Sequence, residues 1–535
     1  MSTFGSFTTV RMGIYAAQKG LDVTGNNITN INTPGYTRQR LNQVSLIPSA
    51  VDRYSSTYSN RVGQGSLVAG ITQLRDPGLD ISYRKATTDV GSANAKLEGL
   101  NSLAKILDEV GKGDLEQDDG VILSQLNDMR DLISQAIASG GSSTYNDLIR
   151  SSAESLTTYF NSYARALTQL QGTYETKLNQ QVTEVNNILT QIRDLNLSIR
   201  DADIRGDPGL ELRDERNRLL DELSGYMDID VKYSMEDVGA NTQVEKLTVT
   251  LASGVGHEDH VLVDGLYATK VSVGTAADGY DITLSALKDD KGNVNLSTPS
   301  TNTTLVEGDL YGSIQSIRDI LTGEGEYASQ DDINNDKDAS TTRGIPYYQK
   351  ALDSLAYEFA TKMNELNNTG LEGAGNLFST GSNTDDATGI TASNISVSNS
   401  WANQKVSIQT TADANAPSGD TSQLAKFLAL FDQEINFVPQ NVQNDADGDS
   451  FTGTFEDMLL KIQSTLAEDQ MSTDAILNNY TVTMSDLYVD REGVTGVDLN
   501  DEATNLMTYQ KAYTAACRLM NTLNEALDSL INGTV

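Results

Sequence analysis

Apolar residues recur at alternating steps of three and four along both ends of the chain. At the start, Phe7, Val10, Ile14, Ala17, Leu21, Thr24, Ile28 and Ile31 trace a heptad seam. Such a seam marks a helix that winds against a partner. At the end, Leu499, Ala503, Leu506, Tyr509, Tyr513, Ala516, Met520, Leu523, Leu527 and Leu530 trace another. Asp498 is placed to cap this second helix, with Asp501 and Glu502 in a first turn that favours anions. Both seams are narrow and contain weak members such as Ala17 and Thr24. A helix of this kind is marginal alone in water, so each arm is expected to order on pairing.

Between the arms, helical periodicity covers 83–110, 120–139 and 144–205, the last with Gly172 as a candidate interruption. A further helix is expected over 208–225, with Pro208 in its first turn and Gly225 as its stop. Helix resumes at 308–322, 345–368, 421–436 and 454–490. From about residue 230 the period falls to two. KLTVTL, HVLVDG, ATKVSV and YDITLSAL read as short strands, and DDKGN at 289–293 as a hairpin turn. A second stretch rich in Gly, Thr, Asn and Asp includes ITASNISVSNS and QKVSIQTT. The fold class expected is α+β and multidomain: terminal coiled-coil helices, a long-helix bundle and β-rich inserted outer domains. The terminal unit takes 1–82 with 491–535, the bundle 83–231 with 308–370 and 454–490, and the β-rich insertions 232–307 and 371–453.

Charge sharpens this division. The 535 residues carry a formal net charge of −36. Residues 1–85 nevertheless hold nine Lys or Arg against four Asp, a net of +5, whereas 490–535 hold seven acids against three bases. The basic first arm and the acidic last arm are complementary. An acidic body disfavours nucleic acid and anionic lipid as partners. No apolar run approaches the roughly 20 residues that span a bilayer, so membrane insertion is not expected. The first 30 residues also lack the apolar core and cleavage site of a Sec-type leader.

Candidate chemistry is sparse. The two histidines, His257 and His260, stand in HEDH, which misses the H-E-x-x-H spacing and falls in a turn between strands. QNDADGDS at 443–450 lacks the first and twelfth ligands of a calcium loop, and DDINNDKD at 331–338 fails in the same way. Cys517, the single cysteine, sits beside Ala516 on the heptad helix and reads as a packed thiol. There is neither a phosphate loop nor a nucleophile elbow. No catalytic residue, metal or cofactor is expected.

The ends carry a more specific signal. MGIYAAQKGLDVTGNNITNINTPGYTRQR resembles the N-terminal signature of bacterial flagellar axial proteins, and VDLNDEATNLMTYQKAYTAACRLMNTLNEALDSLING resembles their C-terminal helix. VGQGSLVAGITQLRDPGLDISYRK, PGLELRDERNRLLDELSGYMDIDV and GIPYYQKALDSLAYEFATKMNELNNTG are similar to segments of the flagellar hook-associated protein 1 family. One departure is Gly25 before the paired asparagines, where that family commonly has Ala. The resemblance implies a structural, non-enzymatic subunit that joins hook to filament by polymerising in a ring. It implies as partners further copies of the chain, hook protein, the second hook-associated junction protein, and a cytoplasmic export chaperone on the C-terminal helix. It also implies export to the extracellular flagellum through the flagellar type III apparatus, without a cleaved leader. The alternatives are another axial protein, such as hook protein or the second junction protein, or a secreted adhesin or enzyme with flagellar-type ends. Expected subunit-interface residues are Ile14, Ala17, Leu21, Asn26, Asn27, Ile28, Asn30, Thr33, Gly35, Tyr36 and Arg38 at one end. At the other they are Leu499, Ala503, Leu506, Tyr509, Tyr513, Ala516, Met520, Leu523, Leu527 and Leu530.

Overall fold

The computed structural model describes residues 3–46, 65–107, 120–239, 242–252, 260–295, 302–306, 308–335, 338–437 and 451–532. The chain opens with helix α1 (Thr3–Thr29), followed by strands β1 (Gln39–Ser45) and β2 (Ser66–Gln73). Four helices follow: α2 (Pro77–Ile106), α3 (Val121–Ala138), α4 (Ser143–Arg205) and α5 (Leu210–Tyr226). Strands β3 (Ile229–Asp237), β4 (Gln243–Leu251), β5 (Val261–Asp264) and β6 (Tyr267–Ala268) form one antiparallel sheet. Strands β7 (Val271–Val273), β8 (Ile282–Leu284) and β9 (Thr303–Thr304) form a second. Then come α6 (Ser313–Thr322), α7 (Gln330–Asn335), α8 (Ile345–Asn367), strands β10 (Phe378–Thr380) and β11 (Ile395–Val397), α9 (Asn399–Ala402) and α10 (Ser422–Leu430). Strands β12 (Ile435–Phe437) and β13 (Phe451–Gly453) lead into α11 (Phe455–Thr495) and α12 (Leu499–Asn532).

The 63 residues of α4 make a rod of about 95 Å. Its buried stripe runs from Ile149 through Phe160, Leu167, Leu178 and Val185 to Ile199. α3, α5, α6 and α8 pack along this stripe, as does β4. Gly172 does not interrupt the helix. It faces open solvent, and the cost of about 1 kcal/mol is outweighed by the buried Leu167, Tyr174 and Leu178 on either side. Gly225 does not stop α5 either, since the helix runs on to Tyr226. Its role is proximity: a Cβ on Gly91 of α2 would run into the Gly225 carbonyl. Thr88 Oγ1 also donates to the Ser224 carbonyl. α5 starts at Leu210, two residues after Pro208, because Gly209 takes a left-handed conformation at the cap (φ 53°).

The first β insertion follows the period-two reading. Asp289 Oδ1 accepts from the amides of Lys291 and Asn293 and closes the DDKGN turn. The second region is less regular than expected. Among its described residues the strands β10 to β13 have three residues each, and QKVSIQTT is irregular backbone. Order there comes from aromatic packing and from amide clamps. Phe359, Phe378, Phe455 and Trp401 meet edge to face, and the Asn364 side chain bonds the backbone of Leu377 and Phe378. The helix expected over 421–436 ends at Leu430, and Ile435–Phe437 turns into β12.

The β1–β2 hairpin is a feature that the periodicity reading assigned to coiled coil. Arg40 pairs with Thr72, Asn42 with Gly70 and Val44 with Leu67, with an irregularity between Asn42 and Gln43. Leu41 and Gln39 are buried, and the hairpin packs on α1.

Candidate functional site

α1 and α12 pack side by side within one chain. Asn27 Nδ2 donates to Glu502 Oε2 at 3.2 Å, and Gly20 lies under the ring of Tyr509. Seven residues back on one helix match seven residues forward on the other, so the pair is antiparallel. The face that α1 buries is Val10, Ala16, Ala17, Gly20, Val23, Thr24 and Asn27. It is lined by small side chains, which let the backbones approach closely. A Cβ on Gly20 would run into the Tyr509 ring. Of the expected seam on α1, Val10, Ala17 and Thr24 are buried, and Ile14, Leu21 and Ile28 are half-buried along the flank of that face. On α12, Tyr509, Ala516, Met520, Leu523 and Leu527 are half-buried. Leu499, Ala503, Leu506, Tyr513 and Leu530 remain exposed. The reason is the width of the contact: a single partner helix covers one stripe, and the second stripe faces outward.

GNNITNINTPGYTRQR ends α1 and begins β1. Asn30 Nδ2 donates to the Asn26 carbonyl (3.0 Å) and Oδ1 (2.9 Å), which closes the last turn. The Tyr36 amide donates to the Thr33 carbonyl at 3.2 Å across Pro34-Gly35. Gly35 has φ 78°, the left-handed value that position three of a type II turn requires. Thr33 Oγ1 donates to Asn30 Oδ1 at 3.2 Å.

Beyond that turn the chain enters a clasp. Buried Asn27 receives the Gln39 amide on Oδ1 (3.0 Å) and the Tyr36 hydroxyl on the same atom (2.8 Å), and donates back to the Gln39 carbonyl (2.9 Å). Arg38 closes two 2.8 Å contacts on Glu502 and approaches Asp501 at 3.5 Å. Its amide donates to the Thr495 carbonyl (2.8 Å), and its carbonyl accepts from the Leu74 amide (2.9 Å). Gln39 Nε2 donates to Glu211 of α5 at 3.2 Å. Arg75 bonds Asp80 in a fork (2.6 and 3.2 Å) and the Thr37 hydroxyl (3.2 Å). Arg84 and Arg491 share Asp221 at 2.8 and 2.7 Å, and Arg491 stacks over Tyr83. α1, the hairpin, α2, α5, α11 and α12 therefore meet in one hydrogen-bonded cluster.

Electrostatics at the cluster follow from burial. Asp214 Oδ2 accepts the Thr37 amide at 3.1 Å, while Oδ1 has no hydrogen-bond partner and only Arg75 at 3.8 Å. Burial pushes the Asp214 carboxyl up to about 6, against the downward pull of Thr37 and Arg75. Burial, with Asp214, Glu211 and Glu502 nearby, also pushes the Tyr36 phenol up. A cleft of about 600 Å³ opens beside the clasp between α1, β1 and α12, lined by Thr24, Arg38, Arg40, Glu502, Asn505 and Tyr509. Its polar walls and the hydrogen-bonded pairs beneath them suit structural contact.

Asn26, Asn27, Asn30, Tyr36 and Arg38 thus find their partners within their own chain. Asp214, Gln39, Arg75, Asp221 and Arg491 are members that the sequence reading did not single out, and Glu502 reads there only as a first-turn acid. The basic first arm set against acids in the first turn of α12 was the available signal. Asp498 caps α12 as read, accepting the amide of Asn500 at 2.7 Å.

Elsewhere, His260 Nε2 meets Asp309 Oδ2 at 3.1 Å in a turn, while His257 and the 443–450 loop lie outside the described residues, as does part of 331–338. Among the described residues, no three His, Cys, Asp or Glu side chains are gathered as a metal requires. No described helix is long and apolar enough to cross a membrane.

Comparison with known proteins adds three matches to protein families. Residues 114–383 match the flagellar hook-associated protein FlgK helical domain. Residues 494–533 match the C-terminal region of the flagellar basal body rod FlgEFG proteins, and residues 12–37 match the flagella basal body rod proteins. Flagellar hook-associated protein 1 of Bacillus subtilis is 27% identical over 99% of this chain and 98% of its own length. The proteins of that name from Salmonella typhimurium and Escherichia coli are each 22% identical over 97% of this chain and 98% of their own. The flagellar hook junction protein FlgK from Burkholderia pseudomallei shares the fold, with a TM-score of 0.54 and 12% identity. That likeness covers 78% of this chain and all of the solved one.

Proposed function

The chain belongs to the flagellar hook-associated protein FlgK family, and on that premise we propose how it works at the hook–filament junction of the bacterial flagellum. It is a structural subunit that polymerises in a ring on the end of the hook. The paired arms α1 and α12 form the inner layer, and the exposed stripe of Leu499, Leu506 and Tyr513 is what a neighbouring subunit covers. The long-helix unit built on α4 forms the next layer, and the β-rich insertions at 232–307 and 371–453 form the outer surface. The observation that carries this reading is the clasp. It fixes two arms bearing axial-protein sequence at a set place on a rigid body, as a repeating subunit requires.

Its neighbours are further copies, hook protein below and the second junction protein above. The finer steps are export through the flagellar type III apparatus and escort by a chaperone on α12. No catalysis is assigned to the chain. Electron microscopy of cells lacking it should show hooks without filaments, with unpolymerised flagellin in the medium. Normal filaments on such cells would defeat the reading.

A further inference from the structure

Two exposed surfaces on this chain differ in character. The first lies on α11. That helix turns one face to α2, with Thr473, Arg491 and Thr495 buried and Leu477, Tyr480, Met484 and Leu487 half-buried. The opposite face carries Met471, Val482 and Val489, exposed by 75%, 61% and 63%. Asp486 and Asp490 lie on the same face, exposed and without an ion pair among the described residues. Val482, Asp486 and Val489 stand at spacings of four, three and seven, Asp490 four beyond Asp486, and Met471 three turns before Val482, so the five share one side of the helix.

The second surface lies on the hairpin. Its register puts Arg40, Asn42 and Val44 on one side, opposite Thr72, Gly70 and Leu67. Asn42 Nδ2 donates to Thr72 Oγ1 across that side at 3.0 Å. Gln39 and Leu41 point to the other side and are buried. The outward side therefore offers Val44 and Leu67, about half exposed (50% and 47%), beside Arg40. Arg38 is bound to Glu502, but Arg40 has no ion pair among the described residues.

We propose that the outward side of the β1–β2 hairpin of one copy docks on the outer stripe of α11 of the next copy. Each surface has an apolar centre, and their free charges are opposite: Arg40 against Asp486 and Asp490. Opposite charge steers encounter and sets register. A second copy is the occupant because the basic surplus of this chain lies in its first 85 residues and the acidic surplus in the rest. A contact between two different patches is heterologous. It propagates from copy to copy and closes as a ring when the rotation between copies closes, which two identical patches cannot do. The inference rests on the ring reading above and names the contact that builds it.

The test uses cells lacking the chain and complemented with full-length variants in a Cys517→Ser background. The Val44→Cys and Val489→Cys pair, oxidised on isolated flagella, should give a ladder of cross-linked copies. Arg40→Glu should lower the fraction of filamented cells roughly ten-fold through like-charge contact, and so should Asp486→Lys with Asp490→Lys; the three together should restore it. All these positions are exposed, so monomer circular dichroism should be unchanged. A variant that does alter it is replaced by Arg40→Ser or by Asp486→Ser with Asp490→Ser, each expected to show a smaller loss. Filamented cells that yield no ladder, a cross-link to a different flagellar protein, or no restoration by the combined charge exchange would overturn the docking alone. Filaments on cells without any copy would instead overturn the junction reading on which it rests.

Discussion

Glu502 is 2% exposed, and beside Asn505 of its own helix it takes two hydrogen-bonding partners, Asn27 and Arg38, from the opposite end of the chain. Removing its carboxylate takes from Arg38 its two shortest contacts, leaving only Asp501 at 3.5 Å, and leaves the Asn27 amide with the Gln39 carbonyl alone. Because Arg38 still reaches solvent, Glu502→Ala should loosen the arm by about 3 kcal/mol, the lower end for a broken buried pair. Amide exchange in α1 and α12 should quicken, while α4 is unaffected. Asp214 makes the stability of the cluster depend on pH. Its folded-state carboxyl sits near 6 against an ordinary 3.8, so the folded chain holds the proton more tightly. The stability this supplies is full below about pH 4 and is lost as pH rises through about 6, on the order of 2 kcal/mol. Wild type should gain on Asp214→Asn when thermal melts are taken at pH 4.5 rather than pH 7. Equal slopes for the two proteins would show that the buried oxygen is solvated. Neither residue announces this in sequence. Glu502 reads as one of two first-turn acids, and Asp214 as one charge among six in LRDERNR and its flanks. Their partners stand 475 and 177 residues away.

At the scale of elements, the long helices were legible because a core stripe at 3.6-residue spacing leaves its mark in every turn. The β1–β2 hairpin was not, since the outward side keeps apolar Val44 and Leu67 and blurs the alternation. Its strands are also separated by more than a tight turn. The arm pair shows a subtler gap. The heptad reading located both helices and the buried Val10, Ala17 and Thr24, but it missed Ala16, Gly20 and Val23, which lie off the strict heptad line on the same face. Two expectations separate the sides of α12. Leu523→Glu, which puts a charge on the half-buried line, should release the arm in the isolated monomer. Leu506→Glu lies on the outward stripe, so it should leave monomer amide exchange unchanged and still abolish filament attachment. Gly20→Ala should push the two helices apart at Tyr509 and destabilise the pair by about 1–3 kcal/mol, an overpacking effect.

For the molecule as a whole, burial is unevenly shared. α4 has a continuous buried stripe, whereas in α12 only Glu502 among the described residues is fully buried. The arms should therefore open at a small fraction of the free energy that unfolds the bundle. Native-state amide exchange on the monomer should show weak protection over 7–27 and 505–530 and strong protection through α4, α5 and α8. Protection in α12 equal to that in α4 would mean that the arm is already locked before assembly. The opening would still be confined by the clasp. The polypeptide passes between arm and body twice, at residues 74–76 and 496–498, and Arg38, in the segment that leads from α1 to β1, bonds Leu74 at one crossing through its carbonyl and Thr495 beside the other through its amide. One covalent crossing would be a swivel, free to spin about its bonds. Two crossings laced together through Arg38 leave no axis of free rotation, so a twist applied to the arm arrives at the bundle as torque.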